Sequence, residues 1–221
     1  MSAAMNLEQA RFNMIEQQIR PWDVLDTHVL HLLSVVKREA FVPPAHRALA
    51  FVDMEIPLPG GQCMLAPRVE ARLLQDLAVQ KHEKVLEVGA GSGYMAALLA
   101  HRAQRVLTLE IDEALARMAR ANLQAAGVYN AEVRHMDGSG GAPAEGPFDV
   151  ILLSGSVAEV PQALLQQLKP GGRLGAIVGD DPVMRATFVT RAGDASFATT
   201  QPWDTVAPRL RNFPEPSRFH F

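Results

Sequence analysis

Between positions 85 and 94 the chain reads VLEVGAGSGY, with glycines at 89, 91 and 93 and an acid, Glu87, just before the first of them. An apolar run, a glycine turn and a helical pattern in that order leave backbone N–H groups free at a helix start, where a ligand can approach closely. The spacing is not that of a dinucleotide fold, because G-x-G-x-x-G counted from Gly89 ends on Tyr94. No Gly-Lys-Ser/Thr follows, so a P-loop is excluded. A second acid, Glu110, closes the next apolar run (RVLTLE), where it can hydrogen-bond a ribose diol. Asp137-Gly138 ends the run after that, and Asp137 could accept a hydrogen bond from an adenine amino group. Glu87 would repel a diphosphate and attract an ammonium group. A ribose ligand with a cationic, unphosphorylated end fits S-adenosyl-L-methionine better than NAD or ATP. Taken singly, GAGSG could be a tight turn and Asp137 a solvated turn residue; together the features favour the nucleoside.

A second stretch, GGQCMLAPRVEARL over 60–73, joins a Gly-Gly turn to a helix opened by Pro67. Turn-to-helix junctions usually carry Ser, Thr, Asp or Asn to cap free N–H groups. This one carries Cys63, Met64, Leu65 and Ala66. Cys63 has no sequence-adjacent base and reads as a small packing residue rather than a nucleophile. His28 and His31 lack a carboxylate or Cys partner at ligand spacing, so no metal site is predicted. Trp22 and Trp203 read as packing residues, as do Met95 and Met118.

The elements that would position these groups fall in two textures. Over 1–66, Leu7, Ala10, Met14, Ile15, Gln18 and Ile19 share a helical face ended by Pro21. A second helix, capped by Asp26 or Thr27, is expected to run to Pro43-Pro44, and a short third one over 44–51. Residues 57–64 should be irregular. From 67 onward a helix with Val69, Leu73, Leu74 and Leu77 buried leads into alternating strands and helices. Strands are expected at 84–88, 105–110, 131–135, 149–154 and 173–178, and helices at 92–102, 112–126 and 161–168. Gly127 stops the second of these helices, and KPGG (169–172) should be a turn. Nearly continuous apolar strands alternating with helices predict an α/β protein, with a Rossmann-like, doubly wound, mostly parallel sheet covered on both faces. Residues 184–191 and 196–200 should add late edge strands, and the Pro-rich tail (212–221) should not be helical. The expected organisation is one compact unit: an N-terminal helical and lid region over 1–66 and a ligand-binding domain over 67–221.

The balance of 48% hydrophobic and 20% charged residues with a net charge of -3 is that of an ordinary globular protein. It gives no electrostatic case for nucleic acid or an anionic membrane as partner. The lone cysteine excludes an intrachain disulfide. No basic, apolar leader or span-length apolar run is visible, which predicts a cytoplasmic protein.

The glycine loop, Glu110, Asp137-Gly138 and LKPGGRL (168–174) resemble the class I S-adenosylmethionine-dependent methyltransferases. REAFVPPAHRALAFVD (38–53), IPLPGGQCMLAP (56–67) and FDVILLSGSVAEVPQALLQQLKPGGRL (148–174) narrow the resemblance to the protein-L-isoaspartate O-methyltransferase family, from about residue 12 to 179. The resemblance implies S-adenosylmethionine lying across the strand ends, with S-adenosyl-L-homocysteine as product. Gly89, Ala90, Gly91, Ser92 and Gly93 would line its methionine and ribose, Glu110 and Ile111 would hold the ribose and flank adenine, and Asp137-Gly138 would meet the adenine edge. Met64, Leu65, Ala66 and Pro67 would pack over the cofactor beside the acceptor pocket. The implied acceptor is an isoaspartyl protein or peptide.

The departure lies in that last segment. The family pattern is Gly-Gln-Thr-Ile-Ser-x-Pro, and here the threonine position is Cys63 and the serine position Leu65. The family's Thr-Ala-Ala after the fourth strand is Ser154-Gly155-Ser156. No catalytic residue is therefore assigned; Cys63, Ser154 and Ser156 are the polar candidates near the acceptor. A different small-molecule acceptor, or a non-catalytic S-adenosylmethionine-binding protein, remains an alternative.

Overall fold

The computed structural model describes residues 3–215; the last six residues of the Pro-rich tail, and the first two of the chain, lie outside the described residues. Lys84–Val88 (β3), Arg105–Glu110 (β4) and Ala131–His135 (β5) form strands at the bounds the apolar runs predict. Phe148–Val157 (β6), Leu168–Asp180 (β7), Val183–Arg191 (β8) and Phe197–Thr205 (β9) complete a seven-stranded sheet of order β5-β4-β3-β6-β7-β8-β9. Neighbours from β5 through β7 pair in parallel, and β8 and β9 run antiparallel. The buried strand centres, with Val85, Leu86, Val106, Ile151 and Leu152 at 0–2% exposure with Leu107, explain the unbroken apolar runs.

Long helices cover one face of the sheet; on the other, the expected helical cover is reduced among the described residues to the short segment Gln162–Leu165 and non-helical chain. Pro67–Leu77 (α3) and Tyr94–Arg102 (α4) lie in the cluster that also holds the N-terminal segments. Glu113–Ala125 (α5) begins where the Asp112 carboxylate accepts from the Ala114 and Leu115 N–H groups. The chain steps outward from β3 to β4 and β5, then returns to β6 on the other side of β3. The switch point of the sheet is therefore the β3/β6 pair, where ligands of open α/β sheets bind.

Several local expectations are corrected. The first helix, Ala3–Met14 (α1), widens into a π-helical turn over Ile15–Ile19 and then closes in a 3₁₀ turn, Arg20–Trp22, that contains Pro21. The second, Thr27–Val35 (α2), is capped by Asp26 and stops well short of Pro43, because Arg38 turns inward to an ion pair with Glu70 of α3. Residues Pro44–Leu49 make a 3₁₀ turn rather than an α-helix, as the consecutive prolines provide no capping side chain. Residues 57–64 are not wholly irregular: Ile56–Pro57 (β1) and Cys63–Met64 (β2) pair as a short antiparallel hairpin. Helix Gln162–Leu165 (α6) is brief, since Leu168 already pairs with Phe148. KPGG is accordingly a looped-out irregularity within β7 rather than a turn before it. β9 continues past Thr200 to Trp203, whose ring N–H donates to Asp76 at 2.7 Å, with a register shift absorbing Pro202.

No helix among the described residues is long and apolar enough to cross a membrane, and no metal-ligating cluster of His, Cys, Asp and Glu occurs among them.

Candidate active site

β3 ends in Gly89, Gly91 and Gly93, all with positive φ. Gly93 needs that freedom most: at φ +87° a Cβ would also stand 3.2 Å from the Ala119 backbone, so glycine lets α4 begin against α5. α4 starts with no side-chain cap, leaving its first N–H groups to other partners. Gly138 plays the matching role beyond β5, where a Cβ would fall 2.4 Å from Val88 Cγ1.

The Glu110 carboxylate is buried and bridges the loop. One oxygen accepts from the Gly91 N–H at 2.8 Å and the other from the Asp112 N–H at 3.0 Å. Asp137 accepts from the Ser139 N–H at 2.9 Å and the Asn212 amide at 2.8 Å, and these two bonds hold its pKa below the usual range. Glu87 is fully buried, and burial raises its pKa to about 7 against the pull of the neighbouring Thr108 and Ser154 hydroxyls. The Ser154 hydroxyl donates to one Glu87 oxygen at 2.7 Å, and the other oxygen has no hydrogen-bond partner.

Two adjoining cavities, an outer and an inner one, lie over this floor. Cys63, Gly89, Gly91 and Ser154 line both. Glu110, Ile111, Asp137 and Gly138 line the outer cavity, and Met64, Leu65, Ala90 and Ser92 the inner one. Glu87 stands behind Ser154 rather than at the surface. Ala66, Pro67 and Gly93 are outside the lining, Pro67 because it begins α3. Ser156 is withdrawn from any acceptor role: it is fully buried, its N–H donates to Pro208 O, and its carbonyl accepts from the Leu210 N–H.

The oily segment has a structural explanation. Met64 and Leu65 are 4% and 6% exposed. The Leu65 carbonyl accepts from Arg38 Nη2 at 2.8 Å, while Arg38 also pairs with Glu70 and stacks 5.0 Å above the Tyr94 ring. A buried arginine thus anchors the junction through the Leu65 carbonyl and Glu70, while the start of α3 carries no side-chain cap and has Pro67 in its first turn. Burial raises Glu70 to about 7 despite the Arg38 charge. Cys63 is pushed up to about 12 by burial and then by Glu55, so its thiol stays protonated at neutral pH.

Sequence reasoning missed two parts of the site. Arg38 was visible only as one letter of a family-like segment. The tail after β9 returns across the cleft, and Leu210, Arg211 and Phe213 line the outer cavity. Its sole local signal is a pair of apolar residues, Leu210 and Phe213, within a polar, Pro-rich stretch.

A glycine-floored cleft at the switch point of this sheet, with the Glu110 and Asp137 carboxylates beyond the ends of its strands, is that of the Rossmann-like methyltransferases. Comparison with known proteins narrows the class. The family model for protein-L-isoaspartate(D-aspartate) O-methyltransferase matches residues 9–206. A protein-L-isoaspartate O-methyltransferase of Herpetosiphon aurantiacus is 37% identical over 193 residues, 87% of this chain and 86% of that one. Protein-L-isoaspartate O-methyltransferase 1 of Syntrophobacter fumaroxidans is 42% identical over 176 residues, 80% of this chain and 82% of its own length. A crystal structure from Plasmodium falciparum, assigned as a protein-L-isoaspartate O-methyltransferase and bound to S-adenosyl-L-homocysteine, superposes with a TM-score of 0.77 at 19% identity, covering 92% of this chain and 97% of that one. The chain belongs to the protein-L-isoaspartate(D-aspartate) O-methyltransferase family, a family of S-adenosylmethionine-dependent enzymes.

Proposed function

We propose that this chain transfers the methyl group of S-adenosylmethionine to the carboxylate of isoaspartyl residues in proteins or peptides. The observation that carries the reading is the double cavity at the switch point, with Glu110 at one wall and the buried lid at the other, in a chain matching the family model over 9–206. The residues fit the cofactor. Glu110, already oriented by two backbone N–H groups, faces the ribose; Asp137 and Ile111 meet adenine; and Glu87, with one unsatisfied oxygen behind Ser154, favours the cationic end.

Bound S-adenosylmethionine supplies an electrophilic methyl group on a positively charged sulfur. The acceptor carboxylate is an anion at neutral pH and needs no general base, so the protein's work is to hold it in line and exclude water. Met64, Leu65, Leu210 and Phe213 supply apolar walls for that purpose. The Ser154 hydroxyl donates its hydrogen bond to Glu87 and so does not offer it to the acceptor, and Cys63 remains a neutral thiol.

A second reading rests on one specific observation. Leu65 stands at the position where the family pattern has serine, and no lid hydroxyl replaces it. An acceptor with less need of a hydroxyl, such as an apolar small molecule, would suit that wall. Transfer of labelled methyl from S-adenosylmethionine to an isoaspartyl peptide, run beside small-molecule acceptors, separates the two. Incorporation into the peptide supports the first reading, and incorporation only into small molecules supports the second.

A further inference from the structure

The cleft is acidic. Glu110 and Asp137 line its outer part and Glu70 its inner part. An anionic acceptor entering it meets repulsion unless a cation stands at the mouth. Among the described residues, one cation lines either cavity: Arg211, on the returning tail.

Its position is fixed on both sides. The preceding residue, Leu210, is tied by its N–H to the Ser156 carbonyl at 2.9 Å. The tail fits there because Gly155 has no side chain; a Cβ would fall 2.8 Å from Leu210 Cδ2. The following residue, Asn212, donates to Asp137 at 2.8 Å. Arg211 Nη2 donates to the Gly60 carbonyl at 2.9 Å. With the Gln62 amide turned so that its oxygen faces the guanidinium, that oxygen accepts from Nη2 at 2.6 Å and Nε at 3.3 Å. All these partners are neutral, and among the described residues no carboxylate lies within ion-pair distance. The guanidinium is exposed, oriented and uncompensated.

We propose that Arg211 is the specificity-determining residue for a carboxylate acceptor, the role for which Leu65 provides no hydrogen bond. The inference rests on the isoaspartyl reading above. The planar guanidinium pairs with the incoming carboxylate at the lid and offsets the acidic lining. As the new O–C bond forms, the C–S bond breaks and its electron pair stays on sulfur. The acceptor becomes a neutral ester, the ion pair is lost and release is favoured. Arg211 therefore governs acceptor capture more than the chemical step.

The test is steady-state methylation of an isoaspartyl peptide by the full chain and its Arg211→Gln and Arg211→Lys variants, with S-adenosylhomocysteine affinity measured calorimetrically. An isoasparaginyl peptide, whose carboxamide is uncharged, serves as a competitor. The expected result for Arg211→Gln is a KM raised on the order of 10-fold to 100-fold, the scale of a lost charge-assisted hydrogen bond. Its kcat and S-adenosylhomocysteine affinity should change little, Arg211→Lys should recover part of the loss, and the wild-type preference for carboxylate over carboxamide should disappear. An equal loss of S-adenosylhomocysteine affinity would assign the cation to the cofactor's own carboxylate and overturn the proposal. An unchanged KM in Arg211→Gln would also overturn it, leaving Arg211 as a lid tether. Wild-type binding of S-adenosylhomocysteine without peptide methylation would instead defeat the isoaspartyl reading itself, and this inference with it.

Discussion

The two walls of the cleft are built differently. On the cofactor side, most groups are set by backbone geometry: glycines follow β3, Glu110 is gripped by the Gly91 and Asp112 N–H groups, and Asp137 by the Ser139 N–H, with the Asn212 and Ser154 side chains as the long-range additions. On the acceptor side, the lid and tail are held by side chains from distant parts of the chain. Arg38 reaches Glu70 and the Leu65 carbonyl, and Arg211 reaches Gly60 from 151 positions away. A wall made from local backbone tolerates little change without losing its ligand. A wall made from long-range side chains can change chemistry one residue at a time.

That contrast can be broken at several points. The largest effect should come from Arg38→Met, which leaves the buried Glu70 without its counter-charge and the Leu65 carbonyl without its donor. We expect a stability loss of about 3–5 kcal/mol in denaturant unfolding. A loss below about 1 kcal/mol, the scale of an exposed pair, would show that the lid is anchored otherwise.

Glu110→Ala should weaken S-adenosylhomocysteine binding on the order of 10²-fold, because two loop N–H groups lose their acceptor along with the ribose contact. Unchanged calorimetric affinity would remove Glu110 from the cofactor site.

A third effect follows from Glu87. Its pKa is raised to about 7, well above the usual carboxylate range, chiefly by burial, with Glu70 and Glu110 adding to the rise. A cationic ligand end favours the ionised form, so binding below pH 7 must also release a proton. Affinity for S-adenosylhomocysteine should therefore rise with pH from 6 toward 8, by up to about tenfold per unit below 7. Glu87→Gln should flatten this dependence. The same group affects folding in the opposite sense. With its folded pKa above its unfolded value, its favourable contribution is complete below about 4.5 and is lost as pH rises through about 7. Stability measured across that window should fall by this group's share together with that of Glu70, which burial raises to about 7 as well, so Glu87→Gln should reduce the slope and leave Glu70's part.

The smallest effect is expected from Leu65→Ser, which restores a hydroxyl at the lid. Isoaspartyl methylation should rise by at most about tenfold, the worth of one new hydrogen bond. No gain would mean that the acceptor wall has diverged beyond that position.

The cofactor wall was legible in the sequence because its signals are local. Apolar runs located β3, β4 and β5 at their observed ends, and Gly89, Gly91, Glu110 and Asp137 line one cavity at the switch point. The acceptor wall was legible only as a departure from a family pattern. Why Leu65 is buried depends on Arg38, and what faces it depends on a tail whose Pro-rich composition hides its contacts. Ser156 looked like a candidate because it is polar and near Ser154, yet β6 turns it into the tail's pairing partner. The length of α2 and the KPGG loop were misread for a related reason. An inward arginine ended the helix, and strand pairing at Leu168 began before the turn.

The most direct test of the central claim is transfer of a labelled methyl group from S-adenosylmethionine to an isoaspartyl peptide, measured on a preparation whose S-adenosylhomocysteine binding is established by calorimetry. The account predicts binding together with stoichiometric, base-labile methyl incorporation into the peptide. Binding with no incorporation would contradict it, leaving an intact cofactor wall facing some other acceptor.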